Sequence, residues 1–387
     1  MGRYIGAHPW LPPLADKVGP VKIIVVAGAR PNFMKVAPIL AALHADPARF
    51  TPLLVHTGQH YDYQMSDIFF TELGLPAPDR FLQAASGSAV IQIADILTKF
   101  EAVLTSEPPD LVVVVGDVNS TVACALAANK LGVPVAHVEA GLRSGDRRMP
   151  EEVNRIITDG IADLLFTYSE DADANLRAEA VPAACIHRVG NVMIDSLLRC
   201  RPRAAALPIL EQLGVEPGAY GLVTLHRPSN VDDPEVLGGI LAALTALQQD
   251  LELLFLAHPR TRKNLARMGL ESQLEQLPRL RLLEPVGYLE MLRLQEQARL
   301  VLTDSGGVQE ETTVLGVPCL TLRENTERPV TITHGTNVLV GVAPTAIMAA
   351  ARRALDAPQS PPTPPPLWDG HAAERLVAVL ANGVQRR

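Results

Sequence analysis

Scarcity narrows this chain's chemistry before any motif does. Only four cysteines occur, Cys124, Cys185, Cys200 and Cys319. They lie far apart, form no CxxC pair and have no histidine at metal-ligand spacing, so neither a disulfide framework nor a metal site is expected. Positive charge is not in excess: 34 lysines and arginines face 42 aspartates and glutamates, a formal net charge of -8. No global field draws nucleic acid or an anionic membrane, and an anionic ligand has to be held by local groups. No apolar run approaches the roughly 20 residues of a membrane-spanning helix, and the first 20 residues lack the continuous apolar core of a signal peptide. The expectation is a reduced, cytoplasmic setting, with neither nucleic acid nor membrane as partner.

What is present is the composition of a globular protein, 48% hydrophobic and 20% charged, over 387 residues. That length exceeds what one core usually supports, so two domains are expected. Short Val/Leu/Ile-rich runs, "VKIIVVA", "TPLLVHT", "LVVVVG", "VPVAHVE" and "DLLFTY", alternate with stretches of helical spacing such as "VIQIADILTKFEAVL". Continuous apolar strands separated by helices imply a parallel sheet covered on both faces. The alternation restarts at "YGLVTLH" and runs through "LELLFLAH", "LRLLEP", "LVLTDSG" and "VPCLTLRE". The predicted fold class is α/β, with two doubly wound Rossmann-like domains facing across a cleft. Residues 1–20 form a lead-in, 21–190 the first domain and 191–357 the second. Residues 358–370 form a proline-rich linker, and 371–387 a last helix whose apolar face needs a partner, with the first domain as a candidate.

Ligands of doubly wound sheets collect beyond the carboxyl ends of the strands, and the chemistry-bearing residues gather there. "GARPNFMK" places Arg30, a planar fork suited to phosphate, and Lys35 after the first strand. "GDVNST" places Asp117 after four valines, either as an acid–base group or as a helix N-cap. "HVEAGLRSG" places Glu139 at the next strand end, where it is either an acid–base group or the ion-pair partner of Arg143. "MPEEVNR" opens a helix on Pro150 with Glu151 and Glu152, also an ordinary way to set acids near a positive helix end. In the second half, "LHRPSN" carries His226 and Arg227, and "AHPRTR" carries His258, each after a strand. "LTDSGGVQEE" sets Ser305, Gly306 and Gly307 between a strand and a helix expected to begin near Val308, a turn whose free N–H groups suit a phosphate. Glu310 and Glu311 are expected in its first turn, fit to hold ribose hydroxyls. "LRENTERP" brings Arg323, Glu327 and Arg328 to another strand end, as ligand contacts or as a surface charge cluster.

Taken together and in order, "GARPNFMK", "GDVNST", "HVEAGLRSG", "MPEEVNR", "LHRPSN", "LTDSGGVQEE" and "TERP" closely resemble the non-hydrolysing UDP-N-acetylglucosamine 2-epimerases, from about Val21 to Val340. The resemblance implies a glycosyltransferase-B-type architecture, a homodimer, and a UDP-sugar as the small-molecule partner without metal or cofactor. It implies interconversion of UDP-N-acetylglucosamine and UDP-N-acetylmannosamine, through elimination of UDP to a 2-acetamidoglucal and its re-addition. Carried over by motif, Lys35, Asp117, Glu139, Glu151 and His226 form the catalytic set. Arg30, His258, Ser305, Gly306, Gly307, Glu311 and Arg328 seat the UDP. "HRPSN" replaces the commoner "HRRE", which places any second, activating sugar-nucleotide site in doubt. "HTGQHYD" and "GDVNST" also resemble relatives acting on diacetamido-uronic acid nucleotides, and a hydrolysing relative would release free N-acetylmannosamine and UDP.

Overall fold

The computed structural model describes residues 19–58, 70–358 and 362–382, with the backbone alone at residue 30. Residues 1–18, most of the expected lead-in, lie outside the described residues. The chain divides into two units, one comprising residues up to Ser196 together with those from Pro366 onward, the other Leu197–Pro365.

In the first unit a parallel sheet has the order β3-β2-β1-β4-β5-β6-β7. Its strands are β1 (Val21–Ala27), β2 (Phe50–His56), β3 (Arg80–Phe81), β4 (Leu111–Val115), β5 (Val135–Val138), β6 (Leu164–Thr167) and β7 (Ile186–Arg188). Every residue of β4 is buried, as a run of leucine and four valines requires of a strand covered on both faces. The helix Ala89–Ser106 begins where the Ser88 hydroxyl accepts from the Ile91 N–H at 3.4 Å. It buries Ile96, Phe100, Val103 and Leu104, a stripe at helical spacing, against the valines of β4 and the alanines of the helix Asn119–Lys130. Each such side chain, fully buried, contributes about 1.5–3 kcal/mol.

The last described helix, Ala372–Ala381, packs on the helix Arg30–His44 of this same unit. Asp195 caps it by accepting from the Ala372 and Ala373 N–H groups at 3.1 and 2.7 Å. Trp368 donates its indole N–H to the Tyr168 carbonyl at 3.0 Å.

The second unit holds a parallel sheet of order β10-β9-β8-β11-β12-β13. These strands are β8 (Tyr220–Leu225), β9 (Glu252–Ala257), β10 (Leu280–Leu283), β11 (Leu300–Thr303), β12 (Cys319–Thr321) and β13 (Asn337–Leu339). Val223 and Leu225 of β8 enter one core and Tyr220 and Leu222 the other, so alternate side chains fill two apolar layers. Each unit is thus a doubly wound, Rossmann-like α/β fold, as predicted. The short edge strands β3 and β13 were not anticipated, because two or three residues carry no readable period.

Candidate functional site

Each sheet reverses its winding between its first and fourth strands: β1 and β4 in one unit, β8 and β11 in the other. Beyond the carboxyl ends of such a pair a doubly wound sheet opens a crevice for its ligand.

In the first unit Asn32 ties the exits of β1 and β4 together. Its side-chain oxygen accepts from Gly28 N at 3.1 Å and Ala29 N at 3.0 Å, and its amide donates to the Val115 carbonyl at 3.1 Å. Lys35, on the helix Arg30–His44, is buried and forms an ion pair with Glu139, itself buried just past β5. Glu139 has φ +70°, a left-handed conformation that costs a non-glycine residue about 1–3 kcal/mol and that recurs at functional sites. Arg143 is not its partner: that side chain pairs with Asp159 at 2.8 Å and with both oxygens of Glu179 at 2.7 Å.

Asp117 is not a helix cap either. The cap position of the helix Asn119–Lys130 is Val118, and the Asp117 carboxylate pairs with buried Arg155. Arg155 also binds Glu152 at 2.9 Å. The Glu152 carboxylate accepts from the Ser144 and Gly145 N–H groups at 2.9 and 3.0 Å and so closes that loop. Burial alone would raise Glu152, but the Ser144 N–H and the Arg155 guanidinium outweigh it and hold the carboxyl below its ordinary value. Glu151, its neighbour, remains half-buried on the same helix, Pro150–Ile161. Arg30 opens the helix Arg30–His44, and its side chain lies outside the described part.

In the second unit the organising group is Asp304, directly after β11 and wholly buried. Its carboxylate accepts from the His226 backbone N–H at 3.1 Å, the Arg227 N–H at 2.9 Å and the Asn230 side chain at 3.2 Å. It also lies 2.9 Å from His226 Nδ1. Burial would raise this carboxyl, but the bond and charge of His226 and the backbone N–H groups hold it below its ordinary value. An ionised carboxylate at Nδ1 fixes the ring's tautomer and turns Nε2 away from it. His226 is the exposed member of the pair.

The helix Gly306–Leu315 starts two residues before its expected position. Its cap residue, Ser305, makes no side-chain capping bond, so hydroxyl and first-turn N–H groups are arranged together at the helix end. Glu310 and Glu311 therefore fall past the first turn and point into the unit. Glu310 accepts from Arg328 Nε at 2.6 Å, and Glu311 from the Tyr288 hydroxyl at 3.0 Å and Gln295 at 2.8 Å. Full burial pushes the Glu311 carboxyl up to about 7.

Arg328 also pairs with Glu327, which takes Arg323 at 2.7 Å and Arg227 at 3.5 Å. Burial opposes the charge of Glu327, yet the guanidiniums of Arg328, Arg323 and Arg227 hold it well below the usual carboxylate range. Gly306 makes room for this cluster, because a Cβ there would lie 2.5 Å from Arg328 Nη1. Beside the turn, a cavity of about 180 Å³ is floored by Leu256, Val286, Met291 and Val308 and rimmed by His226, His258 and Ser305.

The structure thus groups Lys35, Asp117 and Glu139 at one set of strand ends. It groups His226, His258, Ser305 and Gly306 at the other, with Arg328 packed behind Gly306. The sequence assigns no role to Asp304 or Arg155 and reads Glu152 only as an ordinary acid near a helix end. Asp304 stood in a quoted motif as a mere strand end, and the i, i+3 spacing of Glu152 and Arg155 was the available signal. Among the described residues no cluster of three or more His, Cys, Asp or Glu could hold a metal ion, and no helix is long and apolar enough to cross a membrane.

With this geometry in place, comparison with known proteins is specific. A family model described as UDP-N-acetylglucosamine 2-epimerase matches residues 41–381. A UDP-N-acetylglucosamine 2-epimerase of Methanocaldococcus jannaschii is 41% identical over 368 residues, covering 94% of this chain and all of the relative. A UDP-2,3-diacetamido-2,3-dideoxy-D-glucuronate 2-epimerase of Pseudomonas aeruginosa is 45% identical over 338 residues, covering 87% of this chain and 92% of that protein. Among solved structures, the M. jannaschii enzyme in complex with UDP-GlcNAc and UDP superposes with a TM-score of 0.88 at 41% identity, covering 94% of this chain and 100% of that one. The chain belongs to the UDP-N-acetylglucosamine 2-epimerase family, a family of isomerases.

Proposed function

We propose that this protein interconverts UDP-N-acetylglucosamine and UDP-N-acetylmannosamine without releasing the sugar. The C2 proton of the substrate is not adjacent to a carbonyl, so it leaves with the anomeric bond. A carboxylate removes the proton from C2, the C2–H electron pair forms the C1=C2 double bond of a 2-acetamidoglucal, and the C1–O pair departs on UDP. In return, a UDP oxygen attacks C1 and C2 takes a proton from the opposite face. No net oxidation occurs.

The observation that supports this reading is the pairing of carboxylates with cations at one set of strand ends, Glu139 with Lys35 and Asp117 with Arg155. Two-sided proton transfer needs more than one such acid, and Glu151 supplies a further one. In the second unit the Ser305-Gly306-Gly307 turn offers hydroxyl and N–H donors to the departing diphosphate, with His226 as a charged or neutral donor beside it. The apolar floor of the neighbouring cavity suits the flat face of a base.

Incubation with UDP-N-acetylglucosamine in heavy water, followed by proton NMR, tests the reading. Deuterium at C2 together with UDP-N-acetylmannosamine signals is the expected result. Free N-acetylmannosamine with UDP would make the enzyme a hydrolase, and an unexchanged C2 proton would leave only binding. The 45% identity to the P. aeruginosa enzyme supports a second reading, a diacetamido-uronic acid nucleotide as substrate. Comparing kcat/KM for the two nucleotides separates them.

A further inference from the structure

One charged chain in the first unit has no place in the chemistry above. His137 lies in β5 between Ala136 and Val138 and is wholly buried. An imidazole in the middle of a parallel strand loses hydration that valine would not, so its hydrogen bonds must compensate. Its Nε2 is 2.8 Å from the Gly116 carbonyl, which carries no proton, so Nε2 donates. Its Nδ1 is 2.6 Å from Asp159 Oδ1. The other Asp159 oxygen accepts from Gly141 N at 3.0 Å and pairs with Arg143 at 2.8 Å. Burial would raise the Asp159 carboxyl, but the charges of His137 and Arg143 hold it below its ordinary value. Asp159 thus holds the ring at Nδ1 while Nε2 donates to the Gly116 carbonyl.

The carbonyl at the end of this chain belongs to the residue before Asp117. Gly116 has φ +67°, the left-handed region, and a Cβ on it would lie 3.1 Å from Lys35 Nζ and 3.7 Å from Glu139 Oε2. Arg143, Asp159 and His137 thus form a line that ends on the turn presenting Asp117 and flanking the Lys35–Glu139 pair.

We infer that His137, oriented by Asp159, is a positioning residue for the acid–base reaction: it grips the Gly116 carbonyl and so aims Asp117 and supports the Lys35–Glu139 pair. This role rests on the epimerase reading, and the two can fail separately. His137→Gln keeps a side-chain amide but cannot span both acceptors. In the folded variant, kcat for epimerisation should fall about 10- to 100-fold while KM and the Kd for UDP stay within about threefold, the pattern of a lost supporting contact. Asp159→Asn should reproduce that split. An unchanged kcat, or losses of kcat and UDP affinity in parallel, overturns the role. Independently of any turnover, NMR of protein labelled with 15N-histidine should show Nε2 of His137 carrying a proton, in a signal missing from His137→Gln. A bare Nε2 would refute the proposal even in an active epimerase.

Discussion

The two clusters of strand ends share a topology and differ in how they treat their acids. In the first unit the carboxylates of Asp117 and Glu139 each meet a cation from another element, Arg155 and Lys35. In the second, Asp304 is turned inward to collect backbone N–H groups and His226, while Arg227, Arg323 and Arg328 surround Glu327. Under the proposed reaction, the first arrangement holds its carboxylates for proton transfer. The other turns its carboxylates onto the unit's own N–H and guanidinium groups and leaves N–H and hydroxyl donors at a helix end, the kind an anion takes. Strand order is therefore silent about chemistry, and the few residues at the strand exits decide it.

The sharpest way to break this contrast is Asp117→Asn. Turnover, read as C2 deuteration, should fall by about 10²- to 10⁴-fold, while UDP affinity by calorimetry stays close to wild type. Turnover near the wild-type rate would remove Asp117 from the acid–base set. Next in size is Asp304→Asn, which leaves donors converging on a neutral group. Thermal or urea unfolding should show a loss of about 1–3 kcal/mol, as for buried donors left without their charged acceptor. The sign with pH follows from a carboxyl held below its ordinary value in the folded state. Its contribution is complete above the unfolded pKa of about 3.9 and disappears as pH falls through the folded value. Wild type should lose stability in acid more steeply than Asp304→Asn, and parallel curves would contradict that.

Glu311 sharpens the contrast from the other side, because it is a carboxylate buried with no cation against it in the hydrogen bonds that hold it. Its folded value of about 7 lies above the ordinary 4.5. Between those values the folded state keeps a proton the unfolded chain has lost. Stability is fullest below the ordinary value and declines as pH rises through the folded one. Relative to Glu311→Gln, wild type should lose up to about 3 kcal/mol between pH 4 and pH 8, measured by urea unfolding. A flat difference would show that the carboxyl stays ionised.

Much of this was legible in the amino-acid order. Continuous valine runs announced the central strands, and glycine turns after them marked where the chain exits each sheet. Lys35, Asp117, Glu139, His226 and Ser305 could be placed at strand ends because a strand end is a local property. Their partners could not. Arg155 meets Asp117 across 38 residues, and Arg328 reaches Glu310 across 18. Spacing of that kind has no period to detect. The same limit misplaced Arg143 as a candidate partner of Glu139, since proximity in sequence stood in for a contact that Asp159 and Glu179 provide. Glu310 and Glu311 were set in the first helical turn, fit for ribose hydroxyls, because the helix start was read two residues late; the structure turns both into the unit's interior.

The smallest expected effect tests why the second unit's turn has glycine at its first helical position. A methyl group on Gly306 would lie 2.5 and 2.6 Å from Arg328 Nη1 and Cζ. A long side chain in solvent would swing aside at little cost, but Arg328 is buried and held by Glu310 and Glu327. Gly306→Ala must therefore either push the guanidinium off its carboxylates or shift the turn that carries Ser305. Overpacking of this kind costs about 1–3 kcal/mol. If the guanidinium yields, the loss appears in unfolding and UDP affinity is little changed. If the turn yields, UDP affinity falls by a comparable amount, because the first-turn N–H groups move with it. The seating role assigned to the turn requires the second result.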